Sequence, residues 1–245
     1  MSLSIVRRLF VARLCLMVVL LSVQACGSGE HEDGYFPLTP GGQWQYRVER
    51  TTMDGTRQLR HALSVIEPAA NQPADLRTRM TLDGQRYVYR VTDDGIYRVG
   101  VQRKRGPRAA DEGQPQMVMP AHPRIDQQWR GHSQTSLLES SAAPWETLFR
   151  VQVLLDMRYR IAALDAEITT PAGEFEHCVL IEGEGESQTD ADLGNGVGQT
   201  RINVSTREWY APGVGLVRME RNEQTSAQAL RAGSLVMELD AWSQP

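Results

Sequence analysis

Apolar and polar residues alternate through most of the chain. Trp44 and Tyr46 are flanked by glutamine and arginine, and Tyr87 and Tyr89 are separated by a valine and flanked by arginines. Successive side chains of a β-strand point to opposite faces, so a period of two predicts strands with one buried face. We expect these four aromatic side chains to lie on buried faces of such strands.

The segment before Asp83-Gly84 has the same period. Leu76, Thr78, Met80 and Leu82 alternate with Arg77, Arg79, Thr81 and Asp83. This alternation predicts a strand in which the two arginines lie on the polar face and the two leucines on the apolar face.

Turn signals separate the alternating segments. Asp-Gly pairs occur at residues 54–55, 83–84 and 94–95, and an Asp-Gly pair between alternating segments is a strong hairpin signal. Pro171-Ala172-Gly173 and Ala211-Pro212-Gly213 mark two further turns. The chain therefore reads as a series of antiparallel hairpins.

Residues 146–170 contain no proline or glycine and resemble a helix in composition. However, six apolar residues fall on odd positions, which favours a strand. We predict two strands, or one long bent strand, starting near Phe149, with a helical first turn at Trp145–Leu148 as an alternative. The six residues are Val151, Val153, Leu155, Met157, Tyr159 and Ile161.

Together the patterns predict about ten to twelve strands and a mainly β fold. The predicted domain spans residues 35–245 and consists of a single large antiparallel sheet, curved or closed into a barrel-like shape that hides its edges.

The N-terminal segment predicts export. Three arginines at positions 7, 8 and 13 precede an apolar stretch, Leu14–Val23, which is shorter than the ~20 residues that a membrane-spanning helix needs. This arrangement is typical of a secretory signal peptide. The stretch ending at Cys26 resembles the lipobox of bacterial lipoproteins, and an ordinary signal peptide is the alternative.

The lipobox resemblance implies three parts: a signal peptide (1–25), a lipidated Cys26 followed by a flexible tether (26–34), and the β domain. In that family the cysteine carries lipid chains, and two or more chains anchor a protein stably. Gly27 after the cysteine implies the outer membrane, with the domain facing the periplasm.

The charge and the cysteine content of the chain are consistent with this predicted location in the cell envelope. The first 25 residues hold three of the 26 Lys and Arg residues and none of the 30 Asp and Glu residues, so the remainder has a net charge of −7. An acidic domain argues against nucleic acid as a partner. With Cys15 removed and Cys26 lipidated, only Cys178 is left, so no intrachain disulfide is expected.

Three segments resemble a loose group of bacterial lipoproteins without a settled activity. They are Tyr35–Tyr46 (YFPLTPGGQWQY), Thr170–Cys178 (TPAGEFEHC) and Trp209–Val217 (WYAPGVGLV). The resemblance implies the fold and the envelope location, and it transfers no catalytic residue.

Candidate chemistry is weak. Cys178 and His177 are neighbours on a strand, so they point to opposite faces and cannot pair directly. Asp190, Asp192 and Asn195-Gly196 only partly match a calcium loop. The basic segment Arg103–Arg108 is read as a solvated loop, with contact to anionic lipid headgroups as the alternative. We predict no metal and no cofactor.

The sequence thus favours a non-catalytic, lipid-anchored envelope protein that binds a hydrophobic ligand or a protein partner. The predicted ligand-lining residues are Trp44, Tyr46, Tyr87, Tyr89 and Trp209. The alternative is an envelope hydrolase that uses a histidine and a carboxylate from its loops. A filled barrel interior would count against the ligand carrier, and scattered, exposed histidines would count against the hydrolase.

Overall fold

Antiparallel strands account for nearly all of the regular structure. The computed structural model describes residues 34–102, 110–142, 147–192, 197–227 and 230–245, all within the unit Asp33–Pro245. These residues contain no α-helix, and accordingly none long and apolar enough to cross a membrane. The strands are β1 (Gln43–Thr52), β2 (Gly55–Ile66), β3 (Leu76–Thr81), β4 (Arg86–Thr92), β5 (Gly95–Gln102), β6 (Ala110–Pro120), β7 (Gln128–Gln134), β8 (Glu139–Ala142), β9 (Thr147–Arg150), β10 (Leu154–Thr170), β11 (Gly173–Asp192), β12 (Val197–Ala211), β13 (Gly215–Thr225) and β14 (Ala232–Ser243).

Twelve of these strands form one sheet in the order β6-β5-β4-β3-β2-β1-β14-β13-β12-β11-β10-β7, and β8 and β9 form a separate hairpin. The predicted single antiparallel, barrel-like sheet is confirmed. The predicted turns are confirmed too, because each connects two strands that pair with each other. At the β1–β2 and β4–β5 turns, Gly55 and Gly95 have φ of 107° and 156°, which few other residues adopt.

The two end strands of the sheet, β6 and β7, meet without a backbone ladder. The Trp129 Nε1–H donates to the Met117 carbonyl at 3.1 Å, and the His132 backbone N–H donates to Gln116 Oε1 at 3.0 Å. These bonds nearly close the sheet into a barrel. Each edge strand thereby has one backbone group bonded to a side chain of the other edge strand.

Residues 147–170 form two strands, as predicted for this segment. The six odd-numbered apolar residues from Val151 to Ile161 are buried or half-buried. The helical alternative is wrong for Thr147 and Leu148, which belong to β9, and residues 145–146 lie outside the described part of the chain.

Register shifts in β10 between Ile161 and Ile168 reverse the alternation, so that Ala166, Ile168 and Thr170 are the more buried residues further along. Bulges of this kind bend a strand. The tip of the bent β10–β11 hairpin reaches β14, where the Ala172 N–H donates to the Leu239 carbonyl at 3.0 Å.

The β11 strand is buried on both faces where it leaves this tip. Cys178, Val179, Leu180 and Ile181 are all at most 8% exposed, although neighbours on a strand face opposite ways. Cys178 and Leu180 pack in one core cluster with Trp44 and Leu239, whereas Val179 and Ile181 pack in another with Phe36 and Tyr210. A third cluster joins Leu138 and Val151 to Met157 and Ile202.

The predicted faces of β3 are wrong. Arg79 is 4% exposed, whereas Leu82 lies in the turn after β3 and is 85% exposed. Arg79 pairs directly with Val65 on β2 and Tyr87 on β4, and directly paired residues share a face. The arginine therefore lies on the same face as Tyr87, which turns toward the interior of the barrel.

Candidate functional site

A cavity of about 1150 Å³ occupies the interior of the barrel. Each of the twelve strands of the large sheet contributes at least one residue to its wall. Leu154, at the start of β10, lines it while being 66% exposed, so the cavity reaches the surface there. We refer to this space as the barrel cavity.

Much of the cavity wall is apolar or aromatic. Its apolar and aromatic residues are Phe36, Tyr46, Leu63, Tyr87, Tyr89, Val101, Met117, Val118, Trp129, Leu154, Tyr159, Ile181, Tyr210, Leu216, Met219 and Met237. Mostly apolar walls with a few placed polar groups are typical of small-molecule sites. Methionine side chains are flexible and can adapt to ligands of different shapes.

The ring of Tyr159 is held between two glycines and a tryptophan. It stacks on Trp129 with a centroid distance of 5.8 Å and an interplanar angle of 21°. A Cβ added at Gly183, its direct partner on β11, would lie 2.7 Å from the Tyr159 ring and 2.5 Å from Thr206 Oγ1. Any larger residue at position 183 would therefore clash with the Tyr159 ring. Burial of this ring raises the pKa of Tyr159 to about 12.

Three of the five predicted ligand-lining residues, Tyr46, Tyr87 and Tyr89, line the barrel cavity. Trp44 does not, because its ring is buried in the core and its Nε1–H donates to the Val214 carbonyl at 2.7 Å. Trp209 does not either, because the neighbouring Tyr210 faces the cavity and alternation turns Trp209 to the other side of β12.

On that other side, Trp209 lies between two arginines. The Arg207 and Arg218 guanidinium carbons are 4.9 and 6.0 Å from its ring centroid. This residue therefore belongs to the packing outside the cavity, with Leu180 as its direct partner on β11.

Arg79 is the least expected residue of the cavity wall. Its guanidinium lies 3.9 Å from the Phe36 ring centroid and 4.8 Å from that of Trp44, and one Nη2–H donates to the Pro37 carbonyl at 2.7 Å. Its Nε is buried without a hydrogen-bond partner. Among the described residues, no carboxylate forms an ion pair with it.

Glu208 is the one carboxylate among the described residues that line the cavity. The Tyr210 hydroxyl donates to Glu208 Oε2 at 2.5 Å. Burial raises the pKa of Glu208 and also that of Tyr210. The neighbouring Thr206 Oγ1 is buried without a partner. Glu208 and Tyr210 therefore form a polar patch on the cavity wall, but Glu208 forms no ion pair with Arg79.

Arg221 also lines the cavity, but its charge is paired. Its Nε–H donates at 2.6 Å to Glu223, whose side chain is fully buried. Glu223 also accepts the Leu137 N–H at 2.8 Å and the Ser136 N–H at 3.0 Å. This network joins the segment before β8 to β13.

The four described histidines lie at separate places in the fold. His61 and His132 line the cavity, whereas His122 is exposed in a turn and His31 lies outside the described residues. Burial lowers the pKa of His61. In the part of the chain that the structure describes, no histidine side chain bonds to a serine, threonine or cysteine side chain.

His132 Nδ1 lies 2.8 Å from Asp156 Oδ1, but the geometry is not that of a hydrogen bond, and the buried Nδ1 has no hydrogen-bond partner among the described residues. His177 Nδ1 is hydrogen-bonded to Asp165 Oδ1 at 2.6 Å on the exposed outside of the β10–β11 hairpin. Cys178 is buried on the other face, and burial raises the pKa of its thiol to about 11. The expectation that His177 and Cys178 do not pair is confirmed.

Two sequence motifs lie wholly or partly outside the described residues. Asn195-Gly196 and Arg103–Arg108 lie outside the described residues, while Asp190 and Asp192 belong to β11. In residues 34–102, 110–142, 147–192, 197–227 and 230–245, no three metal-ligating side chains come together.

Residues 152–229, from just before β10 to just past β13, match a family model described as DUF3108-like. Over this segment, about a third of the chain, the protein is similar to that family. No curated protein sequence matches the chain.

Two solved structures are similar in fold to this chain. One is a candidate lipoprotein from Parabacteroides distasonis ATCC 8503, with 14% identity, a TM-score of 0.40, and 86% of this chain and 99% of that chain covered. The other is a candidate exported protein with a YmcC-like fold from Bacteroides fragilis NCTC 9343, with 14% identity, a TM-score of 0.39, and coverage of 86% and 100%. Neither match names a ligand or a reaction.

Sequence reasoning missed Arg79, Glu208 and the Arg221–Glu223 pair. A signal for the last was present, because oppositely charged residues two apart on a strand share a face and can bond there. No comparable local signal marks Arg79, since its aromatic neighbours Phe36 and Trp44 are more than 30 residues away in the chain.

Proposed function

We propose that this chain is a lipid-anchored envelope protein whose barrel binds a hydrophobic or amphiphilic small molecule without catalysing a reaction. The observation that carries the proposal is the barrel cavity of about 1150 Å³, to which every strand of the large sheet contributes. Cores of ordinary domains are packed with few voids larger than a water molecule. An interior of this size is therefore better suited to a ligand than to structural support alone.

The membrane anchor in this proposal is Cys26. A signal peptide over residues 1–25 and a tether over residues 26–34 would place the β domain at the outer membrane, facing the periplasm. Replacement of Cys26 by serine removes the lipid-bearing sulfur and is expected to abolish membrane association, as checked by fractionation of cell envelopes. A variant that still pellets with outer membranes would contradict the anchor.

A hydrolase is disfavoured by the geometry of the histidines. His132 lies at the cavity wall beside Asp156, but a histidine–carboxylate pair needs a nucleophile within hydrogen-bond reach. A protein partner is less favoured than a small ligand, because the edge strands β6 and β7 already bond to each other.

The first experiment is native mass spectrometry of residues 27–245 purified from the periplasm. We expect a co-purifying mass that organic solvent extracts. The matched variants are Met219→Trp, which adds a large side chain at the cavity wall, and Met53→Trp, which adds the same side chain at an exposed position. The first should reduce the bound mass and the second should not.

A bare protein that also fails to take up added amphiphiles would overturn the ligand proposal and favour a protein-interaction role. Equal binding by the Met219→Trp and Met53→Trp variants would place the ligand elsewhere on the molecule. A urea unfolding curve for each variant shows that a loss of ligand does not simply reflect unfolding.

A further inference from the structure

Arginines outnumber carboxylates among the described residues that line the barrel cavity. Arg79, Arg98 and Arg221 line it, and Glu208 is the one carboxylate among the described lining residues. Arg221 is paired with Glu223, while the Glu208 carboxylate accepts the Tyr210 hydroxyl. Arg79 thus stands out as a cavity arginine that forms no ion pair with a described carboxylate.

Burial makes this lack of a partner costly. Arg79 is 4% exposed, and a charge removed from water is normally paired with an opposite charge. Arginine does not lose its proton in proteins, so it cannot escape the cost by becoming neutral. The rings of Phe36 and Trp44 offset part of the cost through cation–π contacts, but they supply no counter-charge.

The geometry of Arg79 leaves hydrogen-bond donors unused. A guanidinium has five N–H groups in its own plane, and the aromatic rings contact the group without accepting strong in-plane bonds. One bond goes to the Pro37 carbonyl, and the buried Nε has no partner. Carboxylates and phosphates match such a planar set of donors.

We propose that Arg79 binds the acidic headgroup of an amphiphile, a carboxylate or phosphate monoester on an alkyl chain, whose tail lies along the aromatic and methionine wall of the barrel cavity. This inference rests on the proposed function, because it specifies the ligand of the same cavity. The headgroup supplies the missing negative charge, while the tail fills apolar space that includes Met219 and Met237.

The test uses the full chain in nanodiscs of neutral phosphatidylcholine at pH 8, titrated calorimetrically with four probes. Dodecanoate and dodecyl phosphate carry both headgroup and tail, dodecanol carries the tail alone, and inorganic phosphate carries the charge alone. Partition of each probe into the nanodisc is the same for every variant and is subtracted with empty discs.

The wild-type chain should bind dodecanoate or dodecyl phosphate at least about tenfold more tightly than dodecanol, the factor that one hydrogen bond to a charged group typically gives. Arg79→Met should reduce this preference to less than about twofold while leaving dodecanol binding unchanged, which also shows that the variant is folded. The matched control is Arg77→Met, two residues away on β3, where the arginine bonds to the Ala74 and Leu76 carbonyls and does not line the cavity.

Equal binding of dodecanol and dodecanoate by the wild-type chain would overturn the headgroup site, although the cavity would still bind a ligand. An acidic preference that survives Arg79→Met would overturn it as well. Inorganic phosphate binding as tightly as dodecyl phosphate would indicate a simple anion site and contradict the amphiphile. No binding of any probe would instead refute the proposed function.

Discussion

Arg79 and Glu223 are both buried charges, but their surroundings are opposite. Glu223 accepts bonds from the Arg221 guanidinium and from the backbone N–H groups of Ser136 and Leu137. Arg79 has one backbone carbonyl, two aromatic rings at close range and no described carboxylate. Both side chains are thus buried, but only Glu223 has an oppositely charged partner among the described residues.

The difference separates a structural role from a binding role. A buried charge whose partners are all within the chain stabilises the folded state, because loss of any one partner leaves a buried polar group without a hydrogen bond. A buried charge whose partner is missing raises the free energy of the empty protein, and a ligand of opposite charge removes that cost. We therefore expect Glu223 to stabilise the barrel and Arg79 to select its ligand.

The largest expected effect is that of Glu223→Ala. This change leaves Arg221 without its carboxylate and two backbone N–H groups without an acceptor, and we expect the free energy of unfolding to fall by about 3–5 kcal/mol. Urea denaturation measures the change. Glu186→Ala is the control, because its ion pair with Arg201 has both side chains 60% exposed and is worth less than about 1 kcal/mol. Equal losses in the two variants would contradict the structural role of Glu223.

A second pair of variants tests the two arginines directly. Arg221→Met leaves Glu223 buried without its charged partner, so we expect a loss of roughly 2–4 kcal/mol in the free energy of unfolding. Arg79→Met removes the cost of burying an unpaired charge, but it also removes the cation–π contacts with Phe36 and Trp44. These two effects oppose each other, so the free energy of unfolding of the ligand-free protein should change by less than about 1 kcal/mol. Urea midpoints of ligand-free protein decide the comparison, and a larger loss in Arg79→Met would break it.

The fold could be predicted from local sequence signals, because the turn and the strand alternation of each hairpin are encoded by residues close together in the chain. The Asp-Gly turns and the period of two around Trp44, Tyr46, Tyr87 and Tyr89 depend only on neighbouring residues. They predict which residues share a face of a strand. They do not predict which of the two faces turns toward the barrel interior.

That limit explains the error at β3 and the partial success at the site. The inner face of β3 is set by its register with β2 and β4, which brings Arg79 beside Val65 and Tyr87. The bulges of β10 shift the buried positions from odd-numbered to even-numbered residues. No local sequence pattern predicts these bulges. Trp209 was predicted to line the ligand site, but its neighbour Tyr210 faces the cavity instead.

Glu139 offers an intermediate case, with a smaller expected loss of stability than Glu223 or Arg221. Its carboxylate accepts bonds from Arg50 on β1 at 2.6 Å and from Arg150 on β9 at 2.8 Å, so it links the β8–β9 hairpin to the large sheet. Arg50 and then Arg150 lower its pKa, while partial burial acts in the opposite direction. We expect Glu139→Gln to lower the free energy of unfolding by about 1–2 kcal/mol at neutral pH.

The pH dependence of this loss distinguishes a charged link from a mere hydrogen bond. A carboxyl whose pKa is lower in the folded state stabilises the protein fully above its unfolded pKa of about 4.3, and this contribution disappears as the pH falls through the folded pKa. The difference in urea midpoint between wild type and Glu139→Gln should therefore shrink from neutral pH toward pH ~3. The same series with Glu186→Gln should stay nearly flat, because that exposed pair contributes little at any pH. If the difference in urea midpoint for Glu139→Gln is the same at pH ~3 as at neutral pH, the charge of Glu139 does not link the hairpin to the sheet. A neutral hydrogen bond would then account for the link, and the contrast with the fully buried ion pair of Glu223 would be sharper.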